Sequence, residues 1–250
     1  KPYRYFEGDT LSSKALSPER GQLLLALVNM EIDSASWTAI KSKATFAAAD
    51  LSGANLRGKD LSGMNLRGAN FRGGDISQAT LCHSDLWYAC FWGATANNTN
   101  LSHAQLVRAD LHWAQLNNSK LIQANLNGAN FANAQLRNVD LLQATFRYGS
   151  AEGALFHGAH LTEVDFLVTD LSRTILTNAD LSESNLRLVN LKNAHLEGIN
   201  LTNARVGQGS WEKILEEWQF VGNLASKALY VVEKDTTARF EAAYVLSPIR

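Results

Sequence analysis

Residues 49–71 read ADLSGANLRGKDLSGMNLRGANF, with a large apolar residue at every fifth position: Leu51, Leu56, Leu61, Leu66 and Phe71. Read outward from this stretch, the beat runs without a slip from Phe46 to Val206. It covers 33 positions, of which only Ala96 and Ala151 are small. A period of five matches neither the 3.6-residue turn of a helix nor the two-residue alternation of a strand. It belongs to a repeat architecture in which each unit leans on its neighbours.

With the apolar residue as position i, the i−2 position is small, most often alanine, as at Ala49, Ala54, Ala69, Ala124 and Ala179. The i−1 position is typically Asp or Asn, as at Asp50, Asn55, Asp60, Asn65 and Asn70. One bulky and one small inward side chain per unit suit the bore of a narrow tube. Asp and Asn suit its bends, because their short side chains bond nearby backbone. Positions i+1 and i+2 are polar or variable, as an outer surface would be.

The motifs ADLSGANLRG at 49–58, ANLNGANF at 124–131 and ADLSESNL at 179–186 resemble the pentapeptide-repeat family in its A(D/N)Lxx form. The resemblance implies an all-β solenoid, a right-handed quadrilateral β-helix with four pentads per turn. Residues twenty apart are then vertical neighbours. The stretch 46–206 becomes about eight coils, a rod of about 38 Å at roughly 4.8 Å per coil. Leu61, Leu81, Leu101, Leu121, Leu141, Leu161, Leu181 and Leu201 fall in one column.

The ends read as caps. Ser17-Pro18-Glu19 is a helix start, with a capping hydroxyl and Pro in the first turn ahead of the apolar run Leu23–Val28. A second short helix is expected from Ser36 to Lys43, which makes residues 1–45 an α-helical N-terminal cap to the rod of 46–206. Residues 207–250 are expected to form a C-terminal helix and β-hairpin cap. Its helix opens at Ser210 with Trp211, Ile214, Leu215 and Trp218 on one stripe. Its strands are expected at 228–232 and 239–245, although the alanines of 239–244 also suit a helix.

Composition narrows the function. The 23 basic and 24 acidic residues nearly cancel, so charge alone implies no affinity for nucleic acid or an anionic membrane. No apolar run approaches the length of a membrane span. Cys82 and Cys90 are too few for a disulfide framework. No glycine-rich phosphate loop is present, and no Cys/His cluster has metal-site spacing. His83 and His103, twenty apart, would stack, but two ligands do not make a metal site. The expectation is therefore a non-enzyme without cofactor or metal. The chain opens Lys1-Pro2, which reads as a processed or trimmed piece. A bacterial source follows from the resemblance, with the cytoplasm as the expected compartment and secreted or periplasmic placement as open alternatives.

Two surfaces remain to be weighed. Some members of the resembled family act on DNA gyrase as acidic mimics of DNA. Here the nine Asp of 46–206 all sit at i−1, where coil geometry already accounts for them. Four Glu bring the acids to thirteen against twelve Lys and Arg, which is little of a duplex's charge density. The other surface is aromatic. Trp87, Tyr88 and Trp92 stand at outward positions, with Arg108, His112 and Trp113 one coil on and Arg67 and Arg72 one coil back. Tyr148 continues the line. Grouped Trp, Tyr and Arg are the material of interface hot spots. The competing reading is that they merely stack along the ladder or lie under a terminal segment. These nine residues are the candidate partner-binding site of a non-catalytic interaction scaffold, with another protein as partner and self-association open through the C-terminal cap. The alternatives are a gyrase-directed mimic and the targeting or substrate-binding part of a larger bacterial effector or membrane-bound protein.

Overall fold

One local conformation repeats in every pentad. In the computed structural model, described for residues 4–7, 10–207, 216, 230–235 and 243–248, position i is buried, i+1 and i+2 form a turn, and i−1 forms a parallel bridge. The bridges join residues twenty apart, from Thr45–Asn65 and Asp50–Asn70 to Asp180–Asn200 and Asn185–Arg205. Four pentads therefore complete one coil.

Backbone accounting explains why the unit is stable. The i amide donates to the next coil, as in Leu61 N to Thr80 O at 2.7 Å, and so does the i+2 amide, as in Gly63 N to Cys82 O at 2.8 Å. The i−1 amide donates to the previous coil, as in Asp85 N to Met64 O at 2.9 Å, and the i−2 amide closes the turn, as in Ala69 N to Leu66 O at 2.9 Å. The i+1 amide finds the carboxylate or amide oxygen of i−1: Ser62 N donates to Asp60 Oδ1 at 2.9 Å and Leu142 N to Asp140 Oδ1 at 3.1 Å. This corrects the expectation that Asp and Asn occupy the bends. They stand on the bridge before the bend and hold its first amide, so few buried donors go unpaired.

At every i+2 position from Ala48 to Asn203 φ is positive, between 54° and 70°. A turn closed by a bond from i+3 to i, with positive φ at i+2, favours Gly or Asn there. Gly or Asn fills 17 of these 32 positions. Apart from Ala48, the other fifteen carry larger side chains, among them Tyr88, Trp113, Val168 and Leu188.

The bore holds the expected columns. Leu61, Leu81 and Leu101 are fully buried, as are the alanines at i−2 such as Ala69 and Ala89. Each buried leucine contributes about 1.5–3 kcal/mol over exposure. Phe71 and Phe91 stack face to face with ring centroids 4.7 Å apart. Where i−2 is Ser or Thr the buried hydroxyl bonds main chain, as Thr99 Oγ1 does to Ile76 O at 2.8 Å and Ser119 Oγ to Ala96 O at 2.7 Å.

Two helices lie against the first coil. In α1 (Pro18–Val28) the N-cap Ser17 accepts from Arg20 N, and Ser17 itself bridges Ala49. In α2 (Ser34–Lys43) Asp33 caps by accepting from Ala35 N and Ser36 N, so this helix starts two residues before the expected Ser36. Leu24 is fully buried against the bore. Lys41 Nζ reaches Asp60 Oδ2 at 2.5 Å, and Trp37 Nε1 donates to Asp60 O at 3.2 Å. Ahead of them lies a pair not anticipated in a helical cap: β1 (Arg4–Glu7) is antiparallel to β2 (Thr10–Ala15), with Glu7 opposite Thr10. In the sequence, the intervening Gly8-Asp9 is a hairpin signal.

At the far end β3 (Arg205–Val206), β4 (Tyr230–Asp235) and β5 (Ala243–Pro248) form an antiparallel sheet in the order β3-β5-β4. Leu246 is fully buried there, donating to Ala204 O at 2.9 Å and accepting from Asn203 N at 2.7 Å. The strands begin two and four residues later than expected, and the helical alternative for 239–244 fails at Ala243 and Tyr244, which are extended. The expected helix residues Trp211, Ile214, Leu215 and Trp218 lie outside the described set.

Candidate docking surface

The turn positions i+1 and i+2 make four corners running the length of the rod, and the nine candidate residues divide between two consecutive corners. Arg67, Trp87, Tyr88, Arg108 and Tyr148 lie on one. Arg72, Trp92, His112 and Trp113 lie on the next, across the face that carries Asn70, Cys90 and Asp110 at i−1. The arrangement is two ridges flanking a face.

On the first ridge the Arg67 guanidinium lies 4.6 Å from the Trp87 ring centroid and 3.7 Å from Asp85. Tyr88 meets Trp87 edge-on at 6.2 Å. Arg108 lies 5.9 Å from the Tyr88 ring and donates to its hydroxyl at 3.4 Å. On the second ridge Arg72 covers Trp92 at 4.3 Å, and His112 stacks on Trp113 at 5.7 Å. Cation–π contacts of this kind contribute about 0.5–1 kcal/mol each at exposed sites. They hold the rings in place.

Trp87 and Tyr88 are half-buried by these neighbours, less open than their outward positions suggested. The accessible aromatics are Trp92 at 39%, Trp113 at 55% and Tyr148 at 66%. Tyr148 stands three coils from Tyr88 on the same corner, with Arg108 and Gly128 between them, and so is not brought into contact with the rest. Val168 is exposed beside Tyr148 and Leu188; valine at a turn position gives no aromatic or charge signal in the sequence.

The remaining candidates resolve simply. His83 and His103 stack in parallel at 4.6 Å, and among the described residues no group of three or more His, Cys, Asp or Glu side chains converges to hold a metal. Cys82 and Cys90 are free thiols, and burial pushes both above the usual thiol range, the opposite of an activated nucleophile. The aspartates serve the ladder: Asn70, Asn185, Asn190 and Asn200 each donate to the Asp one coil below at 2.9–3.0 Å. A hollow of about 120 Å³ between the N-terminal helices and the first coil is lined by Leu27, Val28, Met30, Ile32, Trp37, Lys59 and Asp60. It falls short of the roughly 300–1,000 Å³ of small-molecule sites. Among the described residues no helix is long and apolar enough to cross a membrane.

Among solved structures, the chain is similar to a trypsin-treated, singly substituted form of QnrB1, a plasmid-mediated fluoroquinolone resistance protein. The identity is 25% and the TM-score 0.55, covering 64% of this chain and 78% of that one. It is also similar to HetL, a pentapeptide repeat protein involved in heterocyst differentiation regulation from the cyanobacterium Nostoc sp. strain PCC 7120. There the identity is 30% and the TM-score 0.34, covering 64% and 84%. No curated protein sequence matches the chain. The pentapeptide-repeat family model matches in eight copies, in segments running from residue 44 to residue 205. With this match and the likeness to QnrB1 the coil is a right-handed quadrilateral β-helix, and the chain belongs to the pentapeptide-repeat family.

Proposed function

We propose that the chain is a non-catalytic scaffold that engages a protein partner through its two aromatic–arginine ridges. In this reading the rod is about eight coils, closed by caps in 1–45 and 207–250, and serves to hold the ridges rigid. The observation that carries it is the pair of cation–π stacks, Arg67 on Trp87 and Arg72 on Trp92, beside the open Trp113. Rings fixed in advance lose little entropy on binding, and Trp with Arg dominates interface energetics. The test is affinity capture with the chain as bait, comparing wild type with Trp87→Ala/Trp92→Ala. Loss of the captured protein with an unchanged far-UV spectrum supports the reading, and full retention refutes it.

The likeness to QnrB1, a fluoroquinolone resistance protein, favours a second reading: a topoisomerase-directed mimic of DNA. Against it stands the placement of the acids, which are bonded into the ladder and nearly balanced by Lys and Arg. Gyrase supercoiling assayed with the purified chain separates the two readings, since only the second expects inhibition or drug protection.

A further inference from the structure

Of the six histidines only His83 and His103 stand twenty residues apart. They share the corner that follows the column of Leu61, Leu81 and Leu101, and so stand on neither aromatic–arginine ridge. The ladder sets their backbones in register: His83 N donates to Ser102 O at 3.1 Å and His103 N to Ile122 O at 2.9 Å. The rings stack with an interplanar angle of 3° and centroids 4.6 Å apart.

Both side chains are exposed. Among the described residues neither ring has a hydrogen-bond partner, whereas His157 Nδ1 lies 2.6 Å from Thr177 Oγ1. Gln123, next in the column after His103, donates its side-chain amide to Gln143 Oε1 at 2.6 Å. On the other side Gly63 leaves open space beside His83, since a β-carbon built there meets nothing within 4 Å. The adjacent Cys82 thiol is turned to Asn100 O at 3.9 Å. Two imidazoles side by side on a rigid ladder, with nothing else to bond, are a donor set for a borderline divalent cation.

We propose that His83 and His103 chelate one zinc-type divalent cation, with water in the remaining coordination positions. Parallel rings aim their lone pairs side by side, not at one point, so the rings must turn. Rotation about each Cβ–Cγ bond, in opposite senses, brings like nitrogens together, and that torsion is broad and easily changed. The separation closes from 4.6 Å to about 3.3 Å, the spacing of two nitrogens on a tetrahedral zinc with Zn–N of about 2.0–2.1 Å. Two protein ligands leave the shell open and the cation exchangeable. That separates the pair from the closed, multi-ligand centres that the described residues lack. A bound cation ties two successive coils together, side chain to side chain. Magnesium, which prefers oxygen ligands, does not fit this donor set.

The test titrates zinc chloride into the full, chelator-treated chain by isothermal calorimetry. One cation per chain is expected, and magnesium in about hundredfold excess should not displace it. His83→Asn and His103→Asn should each weaken binding about 100-fold, because the second imidazole acts at high effective concentration only while the first is present. The double variant should lose less than about threefold more, since each single variant has already lost the chelate. Asn recurs at this turn position, so the variants keep the fold, which the zinc-free thermal transition verifies. Zinc should raise that transition in the wild type and not in the double variant. Cys82→Ser should bind as wild type. So should His160→Asn, which removes the histidine bridged between Asp140 and Asp180. Absence of zinc binding, binding unchanged by either histidine variant, or a loss of about 100-fold on Cys82→Ser or His160→Asn each overturns the inference. Because neither His83 nor His103 lies on a ridge, that result leaves the scaffold reading standing.

Discussion

Phe146 occupies the space that a side chain at Gly149 would need: a β-carbon built on Gly149 comes within 2.6 Å of Phe146 Cδ2 and 2.8 Å of Ala129 O. The ring is held there by Phe131, edge-on at 5.2 Å, and by Phe166, tilted at 6.0 Å. Two positions on, Ala151 stands where leucine or phenylalanine fills most other pentads. A large residue on one face thus compensates for two small ones on the next, and the bore stays filled.

Gly149→Ala is therefore expected to destabilise the rod by about 1–3 kcal/mol through overpacking. Phe146→Leu/Gly149→Ala should lose about 1 kcal/mol less than the two single variants summed, because leucine vacates the ring's position. Denaturant melts of the four proteins check this. Additivity would show that Ala129 O, not the ring, is the obstacle.

Val168 makes the opposite case. At φ 59° its branched β-carbon crowds the following carbonyl, a strain of about 1–2 kcal/mol for an L-residue. Val168→Asn should raise stability by about 1 kcal/mol, read as a higher denaturant midpoint with an unchanged slope. A lower midpoint would mean that valine's packing beside Tyr148 and Leu188 outweighs its strain.

The columns were legible because every pentad repeats the same inward pair. Leu61, Leu81 and Leu101 could be stacked on paper once the coil was taken as twenty residues. The turn conformation was less so. Gly and Asn at Gly53, Gly58, Asn98 and Asn118 signal positive φ, but Trp113, Tyr148 and Val168 at the equivalent place hide it. The two-ridge form of the site is hidden in the sequence for a related reason. Outward direction follows from pentad position, but which neighbour covers a ring does not: Arg67 shields Trp87, whereas Trp113 is left open. The β1–β2 pair is masked in the sequence by the apolar run of α1, the stronger periodic signal of the N-terminal segment.

Gly21 fixes the approach of α1 to the rod. A β-carbon there would collide with the Asp50 carbonyl oxygen and lie 2.8 Å from its carbon. The same carbonyl group belongs to the residue whose amide donates to Ser17 O at 3.1 Å. Backbone cannot yield as a flexible side chain can, so Gly21→Ala should weaken helix docking by about 3 kcal/mol, at the upper end of overpacking costs. Hydrogen exchange in 18–28 should accelerate while the Leu101 and Leu121 coils keep their protection. Uniform loss of protection would instead mean that the helix and rod unfold as one unit.

Asp60 makes the attachment of α2 sensitive to acid. Partial burial raises its carboxyl, but the hydrogen bonds from Lys41 and Ser62 and the charge of Lys41 outweigh burial, and the net shift is downward. A carboxyl held below its unfolded value of about 3.9 contributes stability that is complete above that value and is lost as pH falls through the folded one. Exchange in 34–43 should therefore quicken as pH drops below about 4, beyond the intrinsic dependence measured on an unfolded peptide of the same sequence. Asp60→Asn should remove that acid step and leave exchange in 34–43 faster at neutral pH, where the bond from Lys41 loses its charged partner. An acid step of unchanged size in the variant would assign it to another carboxylate, with Asp33, the N-cap of the same helix and itself held low by its bonds with Ser36, as the next to substitute.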